Sequence, residues 1–270
     1  MLELRPTCEC CGGDLPGDSQ DALICSFECT FCKDCNERQL KGQRLIHRCP
    51  VSIYAGSLVP AAVLEGHRAE TVINSAELHL AEIIEAIKQA HERGQDVARV
   101  HSGDPSLYGA IGEQIRYLRE LGIPYEIIPG VTAVAASAAL LGCELTLPDI
   151  AQTVILTRYG DKSPMPAGEQ LADLARHRST LAIHLGVKHL EKIVEELRPH
   201  YGGDCPIAVV HRATWPDQDW VLDTLDGIVQ QVQAKGFRRT ALILVGRVLA
   251  SDSFSESALY RASHAHLYRP

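Results

Sequence analysis

The sequence predicts an α/β protein of two sheet-bearing halves behind a small cysteine-rich module. Three observations carry this. Short apolar runs rich in valine and isoleucine alternate with helical patterns from about residue 41 onward, the signature of a largely parallel sheet. The length, 270 residues, suffices for two cores. Seven of the ten cysteines fall between Cys8 and Cys35, outside the region of alternation. The expected domains are 1–40, 41–150 and 151–270.

The bulk composition narrows the function. Net charge is −8, which argues against a general nucleic-acid surface. No apolar run approaches the roughly 18 residues of a membrane helix, and residues 1–6 lack the layout of a secretion signal. A cytoplasmic location is therefore expected. In that compartment a cysteine cluster points to metal rather than disulfides.

The module has Cys8 and Cys11, Cys25 and Cys29, then Cys32 and Cys35, with Cys49 further on. Two-residue gaps let both thiolates of a pair face one tetrahedral ion. Cys8, Cys11, Cys32 and Cys35 can close one zinc site. Cys25, Cys29 and Cys49 can begin a second, cross-braced one, whose fourth ligand would be Ser52, a poor donor to zinc. A segment this short buries too little apolar surface to fold alone, so structural zinc would supply the folding energy. The runs Leu4-Arg-Pro-Thr-Cys-Glu-Cys-Cys11 and Ile24-Cys-Ser-Phe-Glu-Cys-Thr-Phe-Cys-Lys-Asp-Cys35 resemble a small bacterial zinc-ribbon-like family of unknown function.

The elements that follow are read in order. Residues 41–48 suit a short helix and 51–55 a strand, with a turn at Gly56 and Ser57. Residues 71–74 form another strand. Residues 77–93 carry Leu80, Ile83, Ile84 and Ile87 on one helical face, with Gly94 as the stop. Residues 97–100 read as a buried strand that leads into a glycine turn at Gly103. A helix is expected from Ser106 to Leu121 on the stripe Leu107, Ile111, Ile115 and Leu118, with Pro105 at its start. Tyr125 to Ile128 is read as a strand, and Thr132 to Leu141 as a helix of small residues. In the second half, strands are expected at 153–157, 180–185, 206–213, 220–225 and 240–246, and a helix at 187–197. The last of these strands belong to a mixed sheet. Residues 252–270 read as a tail.

Four segments stand in a telling order: Tyr54-Ala-Gly-Ser-Leu-Val-Pro60, His101-Ser-Gly-Asp-Pro-Ser-Leu-Tyr-Gly109, Pro129-Gly-Val-Thr-Ala133 and Leu145-Thr-Leu-Pro148. In order and spacing they resemble the tetrapyrrole methylase family, and the likeness runs from about Lys41 to about Tyr260. The resemblance implies a two-domain methylase fold, with S-adenosylmethionine held in a cleft between the domains. It implies a methyltransferase of cobalamin synthesis acting on a precorrin-type tetrapyrrole, working as a homodimer. It assigns Ser102, Gly103, Asp104, Leu107, Thr132 and Ala133 to the cofactor. The runs Ala182-Ile-His-Leu185 and Arg212-Ala-Thr-Trp-Pro-Asp-Gln218 add Leu185 and Ala213. Asp104 can equally serve as a helix cap.

Such a substrate is a multi-carboxylate anion, and arginine grips carboxylates with paired hydrogen bonds. Arg158 and Arg212 are the candidates for this, with His184 and His211 close by in sequence. Tyr54 and Tyr108 are candidates to line the substrate site. No catalytic nucleophile or base stands out, and direct methyl transfer to an electron-rich carbon needs none. Which corrinoid is methylated, and by the aerobic or the anaerobic route, stays open. So does a non-catalytic zinc adapter on a degenerate methylase fold. The sequence departs from the family at one place. The family opens with a strand and a glycine-rich turn directly before the helix at Lys41, and here the cysteine module stands instead. That leaves a sheet edge unpaired.

Overall fold

A computed structural model describes residues 22–24, 30–32, 41–160, 163–251 and 253–257. The chain divides into two compact units, Met1–Gly130 and Val131–Pro270. The division falls about twenty residues before the expected boundary. The helix after it is built into the second sheet's core, where Val134 packs with Leu242 and Leu244.

In the first unit, β1 (Ala22–Ile24) and β2 (Thr30–Cys32) form an antiparallel hairpin of their own. Helix α1 (Lys41–Arg48) leads into β3 (Val51–Tyr54). β4 (Thr71–Asn74), α2 (Leu80–Glu92) and β5 (Val97–Val100) follow. The three strands form a parallel sheet in the order β4-β3-β5. Parallel sheets need cover on both faces, and this one has it. Val51 and Ile53 pack with Ile83, Ile87 and Ala90 of α2. Ala98 and Val100 pack with Cys49, Val59 and Leu64.

Helix α3 (Ile111–Glu120) begins five residues later than the apolar stripe suggests. The chain between Pro105 and Gly109 folds so tightly that a Cβ on Gly109 would collide with the Pro105 carbonyl oxygen. Tyr108 and Ala110 take left-handed backbone angles, φ 57° and 50°. A right-handed helix cannot pass through such residues, so residues 105–110 are loop. The segment Tyr125 to Ile128, expected as a strand, joins no ladder among the described residues. Its neighbour in a parallel sheet would be a strand that the described residues do not supply.

The second unit opens with α4 (Ala133–Leu141), one residue from the expected start. Then come β6 (Val154–Arg158), α5 (Leu171–Ala175), β7 (Thr180–His184), α6 (Leu190–Tyr201), β8 (Pro206–His211), β9 (Asp219–Thr224), α7 (Ile228–Lys235) and β10 (Ala241–Val245). The sheet order is β6-β7-β10-β8-β9. β6 and β7 run parallel, and the other pairs are antiparallel. Alternation of side chains along the strands splits the core in two. Leu181, Ile183, Ile207, Val209 and Ile243 face Ile193 and Leu197 of α6 and Ile228 of α7. Ala182, Ala208, Leu242 and Leu244 face the side of α4. No helix among the described residues is long and apolar enough to cross a membrane.

Candidate cofactor and substrate site

The residues nominated from sequence gather at strand ends, and each unit carries its own set. In the first unit the carboxyl ends of β3 and β5 lie side by side, with Tyr54 opposite Val100. The Ala55 amide continues the pairing by donating to the Val100 carbonyl, 3.2 Å. The loop after β5 then crosses this edge. It has no regular structure, so something else must fix it, and Asp104 does. One carboxylate oxygen accepts from the Ser106 amide at 2.8 Å, closing a local turn. The other accepts from the Gly130 amide at 2.9 Å, twenty-six residues on. Both bonds favour the ionised form, and they hold the Asp104 pKa below its usual value. A Cβ on Gly130 would strike the Gly103 carbonyl oxygen, so only glycine permits this approach. Asp104 therefore ties two loops together and does not cap a helix. Gly130 is a functional residue that its motif alone does not reveal; the signal for it is a glycine beside the extended-looking Tyr125 to Ile128 run.

Around this link the loop is open. Ser102 and Gly103 are exposed. Leu107 and Tyr108 are 37 % and 45 % exposed, unusual for large apolar or aromatic side chains. Tyr54 is different. It is half-buried and packs against the cluster of Val59 and Val100. Behind the loop, Arg99 donates from Nε to Gln114 at 3.1 Å and from Nη1 to the Ile53 carbonyl at 3.1 Å. His101 follows it. Burial, then the Arg99 charge, pushes the His101 pKa down to about 4, so it is neutral at physiological pH.

In the second unit one sheet edge collects the candidates. Arg158 at the end of β6 is paired with His184 at the end of β7. β10 runs antiparallel to both β7 and β8, so the ends of β7 and β8 share this edge with the start of β10. Arg158, His184, Leu185, His211, Arg212 and Ala213 thus stand together. The edge is also strained. Leu185, Arg212, Thr214 and Thr240 have φ of 57°, 50°, 72° and 53°. They are half of the eight non-glycine residues with positive φ among those described. Each such conformation costs of order 1–3 kcal/mol, and such strain concentrates where ligands bind. Leu185 is 66 % exposed besides. An exposed, strained leucine on a sheet edge gains nothing from the fold.

The remaining candidates are placed as follows. Thr132 is the N-cap of α4, its Oγ1 accepting from the Ala135 amide at 3.2 Å, and Ala133 opens the helix. Arg158 donates to the carbonyls of Ser163 (3.0 Å) and Pro164 (3.5 Å). Arg212 is paired with Asp217 and stacked over Trp215, with 4.9 Å from guanidinium to ring centroid. Its Nε is buried without a partner. His184 is half-buried, and burial lowers its pKa. His211 stacks on Phe237 at 4.8 Å, and burial followed by the Arg212 charge lowers its pKa too. Burial thus favours the neutral form of both imidazoles.

The cysteines divide differently. Cys8, Cys11, Cys25, Cys29 and Cys35 lie outside the described residues, and Cys32 is described only as backbone in β2. Cys49 is 4 % exposed within the first unit's core. Burial, then the Asp96 charge, raises its thiol pKa, which is unfavourable for a metal thiolate. Ser52 is fully buried in β3 with its Oγ unpartnered. Packing employs both residues. Among the described residues no three His, Cys, Asp or Glu side chains come together as a metal site.

Do these surfaces suit S-adenosylmethionine? Each unit by itself has residues that fit it. The first unit's loop has exposed small residues at Ser102 and Gly103 that let a ligand approach backbone, and an exposed apolar side chain at Leu107; the second unit exposes the apolar side chain of Leu185.

The family model for tetrapyrrole (corrin/porphyrin) methylases matches residues 40–229. A model for a protein family of unknown function, DUF1272, matches residues 1–60. The precorrin-4 C(11)-methyltransferase of Pseudomonas aeruginosa is 71 % identical over 231 residues, spanning 86 % of this chain and 92 % of that one. Among solved structures, a cobalt precorrin-4 methyltransferase of cobalamin biosynthesis superposes with a TM-score of 0.76 at 39 % identity, covering 79 % of this chain and 90 % of that one. A uroporphyrin-III C-methyltransferase from Thermus thermophilus, complexed with S-adenosylhomocysteine, gives 0.61 at 28 % identity, covering 76 % and 89 %.

The loop link has a pH signature. A carboxylate whose folded pKa is depressed contributes stability that is present above the unfolded pKa, about 3.9, and is lost as pH falls through the folded value. The Gly130 amide proton resonance is therefore expected to titrate with a midpoint below that of free aspartate, and the midpoint is expected to vanish in Asp104→Asn. A midpoint at or above about 3.9 would contradict the link.

Proposed function

The chain belongs to the tetrapyrrole methylase family, and on that premise we propose that it methylates carbon 11 of precorrin-4, giving precorrin-5, in cobalamin biosynthesis. The observation that carries this reading is the 71 % identity to a precorrin-4 C(11)-methyltransferase across 92 % of that relative's length. A cobalt-containing substrate is the second reading, favoured by the superposition on a cobalt precorrin-4 methyltransferase, at the lower identity of 39 %.

When bound, S-adenosylmethionine would supply the methyl group from its sulfonium to the ring carbon, leaving as S-adenosylhomocysteine. The protein's part is to bind, orient and exclude water. In the first unit Ser102, Gly103 and Leu107 would face the cofactor, with Asp104 fixing the loop that presents them. In the second, Leu185 and Ala213 offer apolar surface for the adenosine, and Thr132 and Ala133 a helix start. The strained backbone at Leu185 supports this, because the fold alone does not repay it.

The substrate's carboxylates would be met by Arg158 and Arg212, with Tyr108 beside the cofactor loop. Arg212 is already oriented by Asp217 and Trp215, a pre-organised guanidinium that loses little freedom on binding. Tyr54 serves chiefly in packing. A homodimer would draw on one face of β9, where Trp220 and Leu222 are 43 % and 49 % exposed, on a strand whose outer edge has no partner among the described residues. The cysteine usage fits the cytoplasm. For the amino-terminal module, structural zinc on Cys8, Cys11, Cys32 and Cys35 is the reading that the donor chemistry supports. Cys25, Cys29 and Cys49 make an incomplete second set.

Titration calorimetry with S-adenosylhomocysteine tests the cofactor reading. Binding in the micromolar range is expected, and its absence would leave the adapter reading. Leu185→Gly is expected to lose about tenfold or more in that affinity while leaving stability unchanged or about 1 kcal/mol higher, since glycine relieves the φ strain. Incubation with precorrin-4 and with its cobalt complex, followed by mass spectrometry, distinguishes the two substrates by which gains a methyl group. Metal analysis of the purified chain is expected to give one zinc, lost in Cys8→Ser/Cys11→Ser and kept in Cys49→Ala. Well under one zinc per chain would remove the metal from the account.

A further inference from the structure

We infer that Gln218 is a positioning residue for the cofactor: its side chain sets which way the Ala213–Thr214 peptide faces, and so presents the Ala213 carbonyl as an acceptor. The inference rests on the reading that Ala213 meets the adenosine of the cofactor.

The turn that follows β8 carries the argument. The Trp215 amide donates to the Arg212 carbonyl at 2.9 Å and closes a four-residue turn over 212–215. Its third residue, Thr214, has φ 72°, while Ala213 is not among the residues with positive φ. That is the pattern of a type II turn, which favours glycine or asparagine at the third position. For a β-branched residue such as threonine a left-handed angle is a rare one. A type I turn would close the same bond with ordinary angles. It differs chiefly in the central peptide, which is flipped by about 180°. Residues 212–215 thus have two forms open to them, and the local sequence favours the one that is not observed.

One contact reverses this preference. The Thr214 amide belongs to the central peptide, and it donates to Gln218 Oε1 at 2.9 Å. In a type I turn that N–H would point to the other side, and the bond would be lost. Gln218 is held in its turn, its own amide donating to the Trp215 carbonyl at 3.0 Å. Thr214 and Gln218 are both exposed, so packing does not fix the peptide. The other contacts of the loop act at its ends. The Arg212 amide donates to the Thr240 carbonyl at 2.9 Å. The Arg212 guanidinium meets Asp217 and the Trp215 ring.

The consequence falls on Ala213. The peptide is trans, so the Ala213 carbonyl lies opposite the Thr214 N–H and faces away from Gln218. A methyl side chain offers a cofactor contact without direction. A carbonyl of fixed orientation selects a donor, and adenosine brings an amino group and ribose hydroxyls.

Titration calorimetry with S-adenosylhomocysteine, together with thermal unfolding of the ligand-free chain, tests this. Gln218→Leu is expected to weaken affinity about tenfold or more, with a melting temperature unchanged or higher because Thr214 can relax. Gln218→Glu keeps an oxygen acceptor and should bind like the wild type. Thr214→Gly added to Gln218→Leu should recover most of the lost affinity, since glycine favours the observed turn unaided. Wild-type affinity in Gln218→Leu would overturn the inference and leave the cofactor reading standing. So would a loss of affinity that follows a lower melting temperature and that Thr214→Gly does not recover, the mark of a merely structural residue. Absence of binding by the wild type would remove the cofactor reading, and the inference with it.

Discussion

Both units obey one constraint: each sheet is clothed on its two faces, which leaves the strand ends as the place where chemistry can occur. In the second unit β7, β8 and β10 are almost wholly buried, and helices or loops cover both sides. A ligand has no access to the middle of such a sheet. It can reach only the loops where strands stop, as open α/β sheets generally show. Every cofactor and arginine candidate lies at a strand end, in the loop that follows one, or at a helix start. Tyr54 does too, but its side chain turns back into the core.

Loops at strand ends need their own means of order, and the two units use different ones. The first unit uses a carboxylate. Asp104 satisfies two backbone amides that the irregular chain would otherwise leave to water, and glycine at 130 allows the loops to close on each other. The second unit uses strain held by a rigid sheet. Leu185 and Arg212 are forced into left-handed angles directly after strands whose registers are fixed on both sides. The sheet's burial outweighs a local cost of a few kcal/mol.

Much of this was legible in the residues. The apolar stripe at Ile83, Ile84 and Ile87 gave α2, and the buried runs gave β7, β8 and β10. The glycine turn after residue 100 marked the loop at 102–104. The start of α3 was not legible, because the stripe from Leu107 continues a helical period through a segment whose backbone cannot be helical at Tyr108 and Ala110. That Tyr125 to Ile128 joins no ladder among the described residues was not legible either. The segment's propensity is right for a strand, but a strand exists only with a partner, and partners are set by the rest of the sheet. Arg212 shows the same limit. Its neighbour Asp217 is visible in sequence, yet only the turn after β8 brings the two charges together.

The sequence by itself determined which segments become helix and strand over most of residues 41–246, which family the chain belongs to, and which loops are candidates to carry its chemistry. These are local matters, decided by periodicity, by glycine and by short motifs. The tertiary structure decided which strand ends share an edge, that Asp104 links two loops rather than capping a helix, and that Cys49 and Ser52 belong to a core. Those facts depend on contacts between residues far apart in the chain, and register and burial, unlike propensity, are properties of the assembled sheet.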